Sequence, residues 1–315
     1  MRMSASSSKR DHGGGLDAAA AQYGGDPGAW LDLSTGINPV PYPIGTIQPD
    51  AWTALPDRAA HARLIHAARA FWHVPEGAEI VPAHGASALI AAMPHVLRAR
   101  TVAIPTPTYN EHAAAFRAQG VPVVDSAADL RVLVHPNNPD GKCWDAGDLR
   151  GPAVIDESFC DVCPAQSHVD LAGRGDTVVL KSFGKFWGLA GLRLGFAITT
   201  PDIAAKIRVE IGPWAASGPA LEIGARALRD TAWADATRAR LTTDAARLDA
   251  LMAKAGAKVV GGTTLFRLYD VGDAALWQDR LAQGHVWSRI FPYSDRWLRL
   301  GLPAPHQWAQ LEAAL

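Results

Sequence analysis

Short apolar runs alternate with helix-like stretches over residues 79–182, and this alternation restricts the fold more than any other feature of the chain. Apolar runs of about four to eight residues between turns are typical of buried strands, whereas apolar residues three or four positions apart are typical of helices. A series of strand, helix and strand predicts a mostly parallel sheet with helices on both faces. The predicted strands cover residues 79–83, 101–105, 121–124, 130–135, 152–156 and 177–182, and the predicted helices cover 87–99 and 110–120.

The chain changes character on either side of this region. Before it, glycine-rich sequence and a proline cluster at Pro39, Pro41 and Pro43 predict an extended N-terminal arm. After about Arg229, a long amphipathic helix over 233–256 precedes several short strands, which predicts a smaller α+β domain. We therefore divide the chain into an arm that packs with the small domain (1–40), a large domain (41–230) and the small domain (231–315).

The composition argues against several kinds of partner. The formal net charge is −1, from 30 basic and 31 acidic side chains, whereas nucleic acids select for clustered basic surface. No apolar run approaches the roughly 18 residues that a membrane span needs. The polar first residues lack the apolar stretch of a signal peptide, so we expect a cytoplasmic protein.

The three cysteines, Cys143, Cys160 and Cys163, do not predict a disulfide framework, because their number is small and odd. Cys160 and Cys163 form a CxxC pair, but a structural zinc site needs two such pairs or histidines at suitable spacing. We predict no metal and interpret the pair as packing, with a metal or redox role as the less favoured alternative.

Polar residues follow several of the predicted strands, and open α/β sheets bind ligands at the carboxyl ends of their strands. A helix start with Ser87 as its N-cap would present backbone N–H groups to an anion. The polar residues at the strand ends form four sets: Gly85, Ala86 and Ser87; Asn137 and Asn138; Asp156 and Glu157; and Ser182, Lys185 and Arg193. Each set also has a purely structural interpretation, as a helix cap, a turn or a surface charge.

The order of these motifs is more specific than any one of them. Along the chain they read Gly-Ala-Ser, Asn-Pro-Asp-Gly, Asp-Glu-Ser-Phe, Ser-x-x-Lys and Gly-Leu-Arg-Leu-Gly. This order resembles the pyridoxal-phosphate enzymes of fold type I, the aspartate aminotransferase superfamily, over nearly the whole chain. The resemblance implies an α/β fold with a mostly parallel central sheet in the large domain. It also implies a homodimer with active sites at the subunit interface.

The family's cofactor residues carry over onto matching positions. Lys185 would bind the aldehyde of pyridoxal 5'-phosphate covalently, and we expect desolvation by Phe186 and Trp187 to lower its pKa. Asp156 would pair with the pyridine nitrogen and Asn138 with the ring 3-oxygen. The cofactor phosphate would lie at Gly85, Ala86 and Ser87, joined by Ser182 and Arg193, and Tyr109 would stack on the ring. Lys181 does not match the family position, so we interpret it as structural or solvated.

The arm narrows the choice of reaction. His12, Gly13 and Gly14, followed by Leu-Asp-Leu-Ser and Ile-Asn-Pro, closely resemble the start of the L-threonine O-3-phosphate decarboxylases of cobalamin biosynthesis. The resemblance implies that the arm covers the site and that Asn38 and Arg299 hold the substrate carboxylate. His12 and the glycine N–H groups would reach the substrate phosphate. The structural alternatives are a solvated histidine on the arm and, for Arg299, a surface charge.

The implied reaction releases CO2 from L-threonine O-3-phosphate and yields (R)-1-aminopropan-2-yl phosphate, with Lys185 returning a proton to the α-carbon. Three positions depart from the aminotransferase pattern: Phe159 and Leu55 replace tyrosines, and Gly184 replaces a serine or threonine. One alternative is a histidinol-phosphate-type aminotransferase, and another is a non-catalytic component of a cobalamin-assembly complex. Another enzyme of the cobalamin pathway is a candidate partner, whether this protein is itself an enzyme or a non-catalytic component.

Overall fold

The computed structural model describes residues 12–125, 127–149 and 151–315, so the first eleven residues of the predicted arm lie outside the described part. The strands are β1 Leu31–Asp32, β2 Glu79–Ala83, β3 Val102–Ala103, β4 Val123–Val124, β5 Leu130–Val134, β6 Ala153–Asp156, β7 Thr177–Ser182, β8 Gly195–Thr199, β9 Lys258–Thr263, β10 Phe266–Asp270, β11 Val286–Trp287, β12 Arg289–Phe291 and β13 Ser294–Gly301. The helices are α1 Leu16–Tyr23, α2 Asp50–Thr53, α3 Arg58–Phe71, α4 Ala86–Leu97, α5 Asn110–Ala118, α6 Pro201–Ile211, α7 Gly218–Ala227, α8 Thr231–Lys254, α9 Ala274–Gln283 and α10 Trp308–Ala314.

The central sheet has seven strands in the order β2-β8-β7-β6-β5-β3-β4. Strands β3 to β7 pair in parallel, and β8 runs antiparallel to both of its neighbours. Strands β6 and β7 are buried along almost their whole length, which explains their continuous apolar sequence. Because β5, β6 and β7 are parallel, their carboxyl ends meet at one edge of the sheet, and there the polar residues gather.

A second, antiparallel sheet has the order β12-β13-β10-β9 and follows the long helix α8 in the chain. The described part of the arm packs against this C-terminal region. Strand β1 pairs in parallel with β11, and the Gly301 N–H donates to the Leu33 carbonyl at 2.7 Å. We keep the domain boundaries after residues 40 and 230 as a proposal.

The sequence patterns locate most elements to within a few residues, but three details differ. Helix α4 begins at Ala86 with Gly85 as its N-cap, so Ser87 lies inside the first turn and is not the cap. Strand β8 was absent from the predicted set, because its glycine-flanked sequence follows the lysine motif without a clear turn signal. One of the short strands predicted after the long helix, the run His-Val-Trp-Ser-Arg-Ile-Phe at 285–291, is divided into β11 and β12. Within the described residues, every helix is too short or too polar to cross a bilayer.

Candidate active site

A cavity of about 360 Å³ opens at the carboxyl edge of the central sheet. Its wall contains residues from the arm, from α4 and α5, from the ends of β5, β6 and β7, and from β13. Most of the site residues predicted from sequence line it, namely His12, Gly13, Ala86, Ser87, Tyr109, Asn138, Asp156, Ser182, Lys185, Arg193 and Arg299. Gly14, Asn38 and Gly85 are not among the described wall residues.

Lys185 lies on the turn between β7 and the 3₁₀ helix Ala190–Leu192, with its ammonium group in the cavity. Burial lowers its pKa to about 8, and the positive charges of Arg299 and Arg193 act in the same direction, while Asp156 opposes them. The aromatic ring beside Nζ belongs to Phe159, with its centroid 5.2 Å away. This corrects the expectation that Phe186 and Trp187 form the apolar surroundings of the amine.

Phe186 and Trp187 have a different role in the turn. Both are completely buried in the core, where Trp187 stacks between Phe183 and Trp233 at centroid distances of 5.0 and 5.4 Å. The two rings therefore anchor the turn that carries Lys185, because packed aromatic side chains hold the backbone on either side of it.

The lowered pKa of Lys185 predicts a distinctive pH dependence of its reaction with an aldehyde. Only the neutral amine attacks an aldehyde. The rate at which a small aldehyde and borohydride label Lys185 should therefore rise about tenfold per pH unit below pH 8 and level off above it. The exposed Lys206, labelled in the same sample, is the comparison. Peptide mapping distinguishes the two sites, and a Lys185 profile that rises to pH 10 would contradict the assignment.

Asp156 lies at the end of β6 and is held by two neighbours. Its Oδ2 is 2.8 Å from Nε2 of His112, and its Oδ1 accepts hydrogen bonds from the Ser158 N–H at 3.0 Å and hydroxyl at 2.5 Å. Burial by itself raises the pKa of this carboxyl, but the hydrogen bond and charge of His112, together with Ser158, outweigh burial and lower it. The carboxylate therefore stays ionised at the cavity floor, as a partner for a protonated ring nitrogen requires.

His112 was missed by sequence reasoning. It is buried on α5, three residues after Tyr109, and its ring is 6.1 Å from the Tyr109 ring in an edge-on arrangement. Helical spacing predicts that Tyr109 and His112 lie on one face, but nothing in the sequence indicates that this face meets the end of β6.

Arg299 and Asn138 are brought together by the pairing of distant strands. Arg299 is buried on β13, and its Nη1 donates to the Asn138 side-chain oxygen while its Nη2 donates to the Ser34 carbonyl at 2.6 Å. The alternative of a surface charge for Arg299 is therefore wrong. The guanidinium is instead a buried cation in the cavity wall opposite the sheet.

Arg289 is a second cation that the sequence analysis did not select. It lines the cavity from β12, where its Cα lies directly opposite that of Arg299 in the antiparallel pairing with β13. Residues opposite each other in an antiparallel pair project from the same face. The hairpin therefore directs two guanidinium groups toward one cavity. The two arginines become neighbours only through the register in which β12 pairs with β13.

The start of α4 and the turn after β7 meet at one corner of the cavity. Ala86, Ser87, Ser182 and Arg193 line the cavity there, at a helix start, where the first backbone N–H groups lack the i−4 carbonyl acceptors of the helix interior. Gly85 has φ +94°, and a Cβ at this position would lie 2.6 Å from Nη2 of Arg193. Gly85 thus contributes by allowing the guanidinium to lie against the helix start.

The arm supplies His12 and Gly13 to the cavity, but two of its predicted residues serve the fold. His12 Nε2 pairs with Glu111 Oε1 at 2.9 Å, while the Gly14 N–H donates to the Ser34 hydroxyl at 2.6 Å. Asn38 is buried, donates to the Phe186 carbonyl at 2.9 Å and accepts from Arg240 at 2.6 Å. These bonds correct the expectation that Asn38 contacts the substrate carboxylate, because its amide ties the arm to the turn below the cavity.

Lys181 belongs to a buried ion cluster on the other face of β7. Its Nζ is 2.5 Å from Glu157 Oε2 and 3.7 Å from Asp161 Oδ1. Asp161 also accepts hydrogen bonds from the indole N–H groups of Trp72 and Trp187, at 2.9 and 3.0 Å. Lys181 is therefore structural and not solvated, and the cluster ties β6 and β7 to the aromatic core beneath Lys185.

Replacing Lys181 with methionine is expected to lower the free energy of unfolding by about 3–5 kcal/mol, because the Glu157 carboxylate would remain buried without its counter-charge. Urea unfolding followed by tryptophan fluorescence measures the change. The exposed Lys206→Met control should stay within about 0.5 kcal/mol of the parent. A Lys181→Met variant as stable as the parent would refute a structural role for the ion pair.

Three potential metal ligands, His135, Glu157 and Cys160, lie within 4.8 Å of one another. Both ring nitrogens of His135 are hydrogen-bonded, to the Gln166 carbonyl and the Trp144 N–H, and both Glu157 oxygens accept hydrogen bonds. The ammonium of Lys181 lies against the same carboxylate. We assign no metal to this cluster, since Nδ1 of His135 and both Glu157 oxygens already accept hydrogen bonds from protein donors.

The sequence matches a known protein family. The family model of class I and II aminotransferases matches residues 46–315. The chain belongs to this family. Among curated members, it is 41% identical to a threonine-phosphate decarboxylase from Sinorhizobium sp. over 92% of each chain, and 37% identical to one from Pseudomonas aeruginosa over 97% of each.

The fold agrees with solved structures of the same family. Histidinol-phosphate aminotransferase from Sinorhizobium meliloti, solved in complex with pyridoxal-5'-phosphate, superposes with a TM-score of 0.81. The superposition covers 96% of this chain and 93% of that one at 20% identity. The predicted PLP-dependent fold of type I, with its mostly parallel central sheet, is therefore confirmed. The roles of the individual site residues stay predictions.

Proposed function

We propose that this aminotransferase-family protein is a pyridoxal-phosphate-dependent lyase that decarboxylates L-threonine O-3-phosphate to (R)-1-aminopropan-2-yl phosphate. The observation that carries the proposal is the end-to-end similarity, at 41% and 37% identity, to two proteins named threonine-phosphate decarboxylase. The product would supply the aminopropanol arm of cobalamin. The cavity chemistry supports the same conclusion, because a substrate with two anionic groups would meet two guanidinium groups, those of Arg289 and Arg299.

The residues around the cavity fit pyridoxal 5'-phosphate. Asp156 offers an ionised carboxylate for the ring nitrogen, and Lys185 offers an amine with a lowered pKa for the aldehyde. The helix start at Ala86, with Ser182 and Arg193, suits the phosphate. When bound, the cofactor supplies a conjugated ring that accepts the electron pair of the bond being broken.

The protein groups then decide which bond is presented for cleavage. In our proposal Arg299 binds the substrate carboxylate, because its buried fork of donors matches two carboxylate oxygens. Its anchors, the Ser34 carbonyl and Asn138, hold the guanidinium in one orientation. By holding the carboxylate, Arg299 would decide whether the bond to that carboxylate or the Cα–H bond of the substrate is presented to the cofactor for cleavage.

Lys185 would complete the reaction by donating a proton to the α-carbon. A group with a pKa of about 8 can carry the proton and release it near neutral pH, which an ordinary lysine does poorly. Phe159 lies beside the amine and offers no hydroxyl, so the proton on Nζ meets an apolar ring on that side. On that side, Phe159 therefore offers no proton that could compete with the one on Lys185.

The function is tested with the reconstituted protein and L-threonine O-3-phosphate, measuring CO2 release and pyridoxamine phosphate in the same sample. We expect CO2 in stoichiometric amounts with the aminopropanol phosphate and no pyridoxamine phosphate. Pyridoxamine phosphate without CO2 would favour the histidinol-phosphate-type aminotransferase. A protein that binds the cofactor but forms neither product from any phosphorylated amino acid would favour the third alternative, a non-catalytic component of an assembly complex.

Arg289 is our candidate for the substrate phosphate, and Arg289→Gln should lower kcat/KM for L-threonine O-3-phosphate by about 10- to 100-fold, the usual effect of losing a hydrogen bond to a charged group. Turnover of unphosphorylated L-threonine should change by less than about threefold, since it has no phosphate to lose. Arg296→Gln, an exposed arginine on the same hairpin, is the matched control. Equal losses on both substrates would show that Arg289 acts on folding or on the carboxylate.

We also propose a homodimer, as the family resemblance implies. Four large apolar side chains near α2 and α7 are exposed, which is unusual for a surface without a partner. They are Ile44, Trp52, Leu55 and Trp214, at 48%, 69%, 68% and 54% exposure. A monomer in sedimentation equilibrium at assay concentration would contradict the proposal. A cytoplasmic location and a partner enzyme of the cobalamin pathway remain part of the same proposal.

A further inference from the structure

Gly14 follows two cavity-wall residues, His12 and Gly13, and is held at both of its backbone groups. Its N–H donates to the Ser34 hydroxyl at 2.6 Å, and its carbonyl accepts a hydrogen bond from the Trp287 indole N–H at 3.0 Å. We call these two hydrogen bonds the Gly14 tether. Because His12 and Gly13 immediately precede the tethered residue, the tether restricts the position of their backbone beside the cavity.

The two partners of Gly14 are themselves fixed in position. Trp287 is on β11, with its Cα directly opposite that of Asp32 on β1. Ser34 is 1% exposed, and its hydroxyl and backbone N–H both donate to Oδ1 of Asp32, at 2.6 and 2.9 Å. Because the hydroxyl proton points to Asp32, the lone pairs of the hydroxyl oxygen are left to accept the Gly14 N–H.

The backbone of Ser34 also holds Arg299. Its carbonyl accepts a hydrogen bond from Nη2 of Arg299 at 2.6 Å, while Nη1 of the same guanidinium donates to Asn138. A Cβ on Gly13 would lie 2.5 Å from this carbonyl oxygen, so Gly13 packs directly against it. Ser34 therefore contacts the tethered segment with its hydroxyl, and with its carbonyl it contacts the arginine that we assign to the substrate carboxylate.

We propose that Ser34 and Trp287 are positioning residues for substrate binding, which hold His12 and Gly13 in the cavity wall beside Arg299. Neither Ser34 nor Trp287 is among the described wall residues, so both act through the residues that they hold. The inference rests on the proposed function, in which Arg299 binds the substrate carboxylate. Since the proposed cofactor residues come mainly from α4 and the ends of β6 and β7, loosening the tether should weaken substrate binding and spare cofactor binding.

The test compares Ser34→Ala and Trp287→Phe in the full-length, cofactor-loaded protein. Ser34→Ala removes the acceptor of the Gly14 N–H but keeps the carbonyl that binds Arg299, and Trp287→Phe removes the indole donor but keeps an aromatic ring. Each variant should raise KM for L-threonine O-3-phosphate about 3- to 10-fold, as expected for the loss of one hydrogen bond, and change kcat by less than about twofold. The dissociation constant for pyridoxal 5'-phosphate should stay within about twofold of the parent value, because its residues are separate from the tether.

Amide hydrogen exchange measures the Gly14 tether without turnover. Exchange resolved to single residues by NMR should show the Gly14 N–H exchanging about 3- to 10-fold faster in Ser34→Ala than in the parent. Thr101→Val is the matched control, since it also removes a hydroxyl that accepts a backbone N–H, that of Asp129 at 3.1 Å. Thr101 is not among the described wall residues, so this variant should keep the parent's KM and Gly14 exchange rate.

The results separate this inference from the proposed function. A parent protein that releases no CO2 from L-threonine O-3-phosphate would contradict the proposed function. In a parent that does release CO2, unchanged Gly14 exchange in Ser34→Ala would overturn the tether alone. Faster exchange with the parent's KM would overturn the positioning role, because the loosened segment would then not affect substrate binding. A loss of cofactor affinity as large as the rise in KM would indicate a general effect on the fold and would also overturn that role.

Discussion

Lys185→Ala is expected to reduce CO2 release from L-threonine O-3-phosphate by at least about 10³-fold, because the variant loses both the covalent anchor of the cofactor and the proton donor to the α-carbon. The depressed pKa of this amine and its position in the cavity single it out from the other lysines. Lys185→Arg should be equally inactive, since a guanidinium keeps the positive charge but cannot attack an aldehyde.

The covalent anchor has a readout that is independent of turnover. Borohydride reduction of the parent should fix the cofactor to tryptic peptide 182–193, which contains Lys185 and ends at Arg193. The same peptide from Lys185→Ala should carry no label, and Lys206→Ala, an exposed control, should be labelled and active like the parent. A cofactor label on another lysine, or an active Lys185→Ala protein, would remove Lys185 from the mechanism.

Asp156→Ala is expected to lower kcat by about 150- to 5,000-fold, which corresponds to the roughly 3–5 kcal/mol associated with breaking a buried ion pair. Without the carboxylate, the ring nitrogen has no buried counter-charge, and the ring becomes a weaker electron acceptor. Asp156→Asn retains the shape of the side chain, so it separates the loss of charge from the loss of packing. Both variants should show a loss of kcat that exceeds any change in KM.

The Asp156 prediction has two controls. Asp170→Asn removes an exposed carboxylate at a distance from the cavity wall and should leave kcat unchanged. His112→Gln retains a hydrogen-bond donor toward Asp156 but removes the charge that lowers its pKa, so it should have an intermediate effect. If Asp156→Asn retained full activity, the buried carboxylate would have only a structural role.

The sequence located the main chemical groups because their positions depend on local pattern. The apolar runs that end in Asp156 and Ser182 are buried strands in the structure, and parallel strands must end at the same edge of the sheet. The turn that carries Lys185 follows directly from the second of these strands. The family resemblance added the roles of these residues, and the family itself was confirmed by comparison.

Other parts of the site depend on contacts between segments far apart in the chain, and local pattern does not specify them. Asn38, the arm residue expected to contact the substrate, instead accepts a hydrogen bond from Arg240 on α8. This bond helps to attach the arm to the rest of the fold. Arg289 joins the cavity only through the register of β12 on β13, and His112 only through the packing of α5 against β6.

The sequence by itself determined the order of strands and helices, the lysine and carboxylate at the strand ends, and the near-neutral net charge of −1, because each depends on residue type and spacing. Only the tertiary structure decided the pairing of Lys181 with Glu157 and the position of Arg289 directly opposite Arg299. The physical reason is that side-chain burial and electrostatics depend on which distant segments pack together. The sequence left open whether Lys181 is structural or solvated, and the packing of β7 against β6 buries it in an ion pair with Glu157.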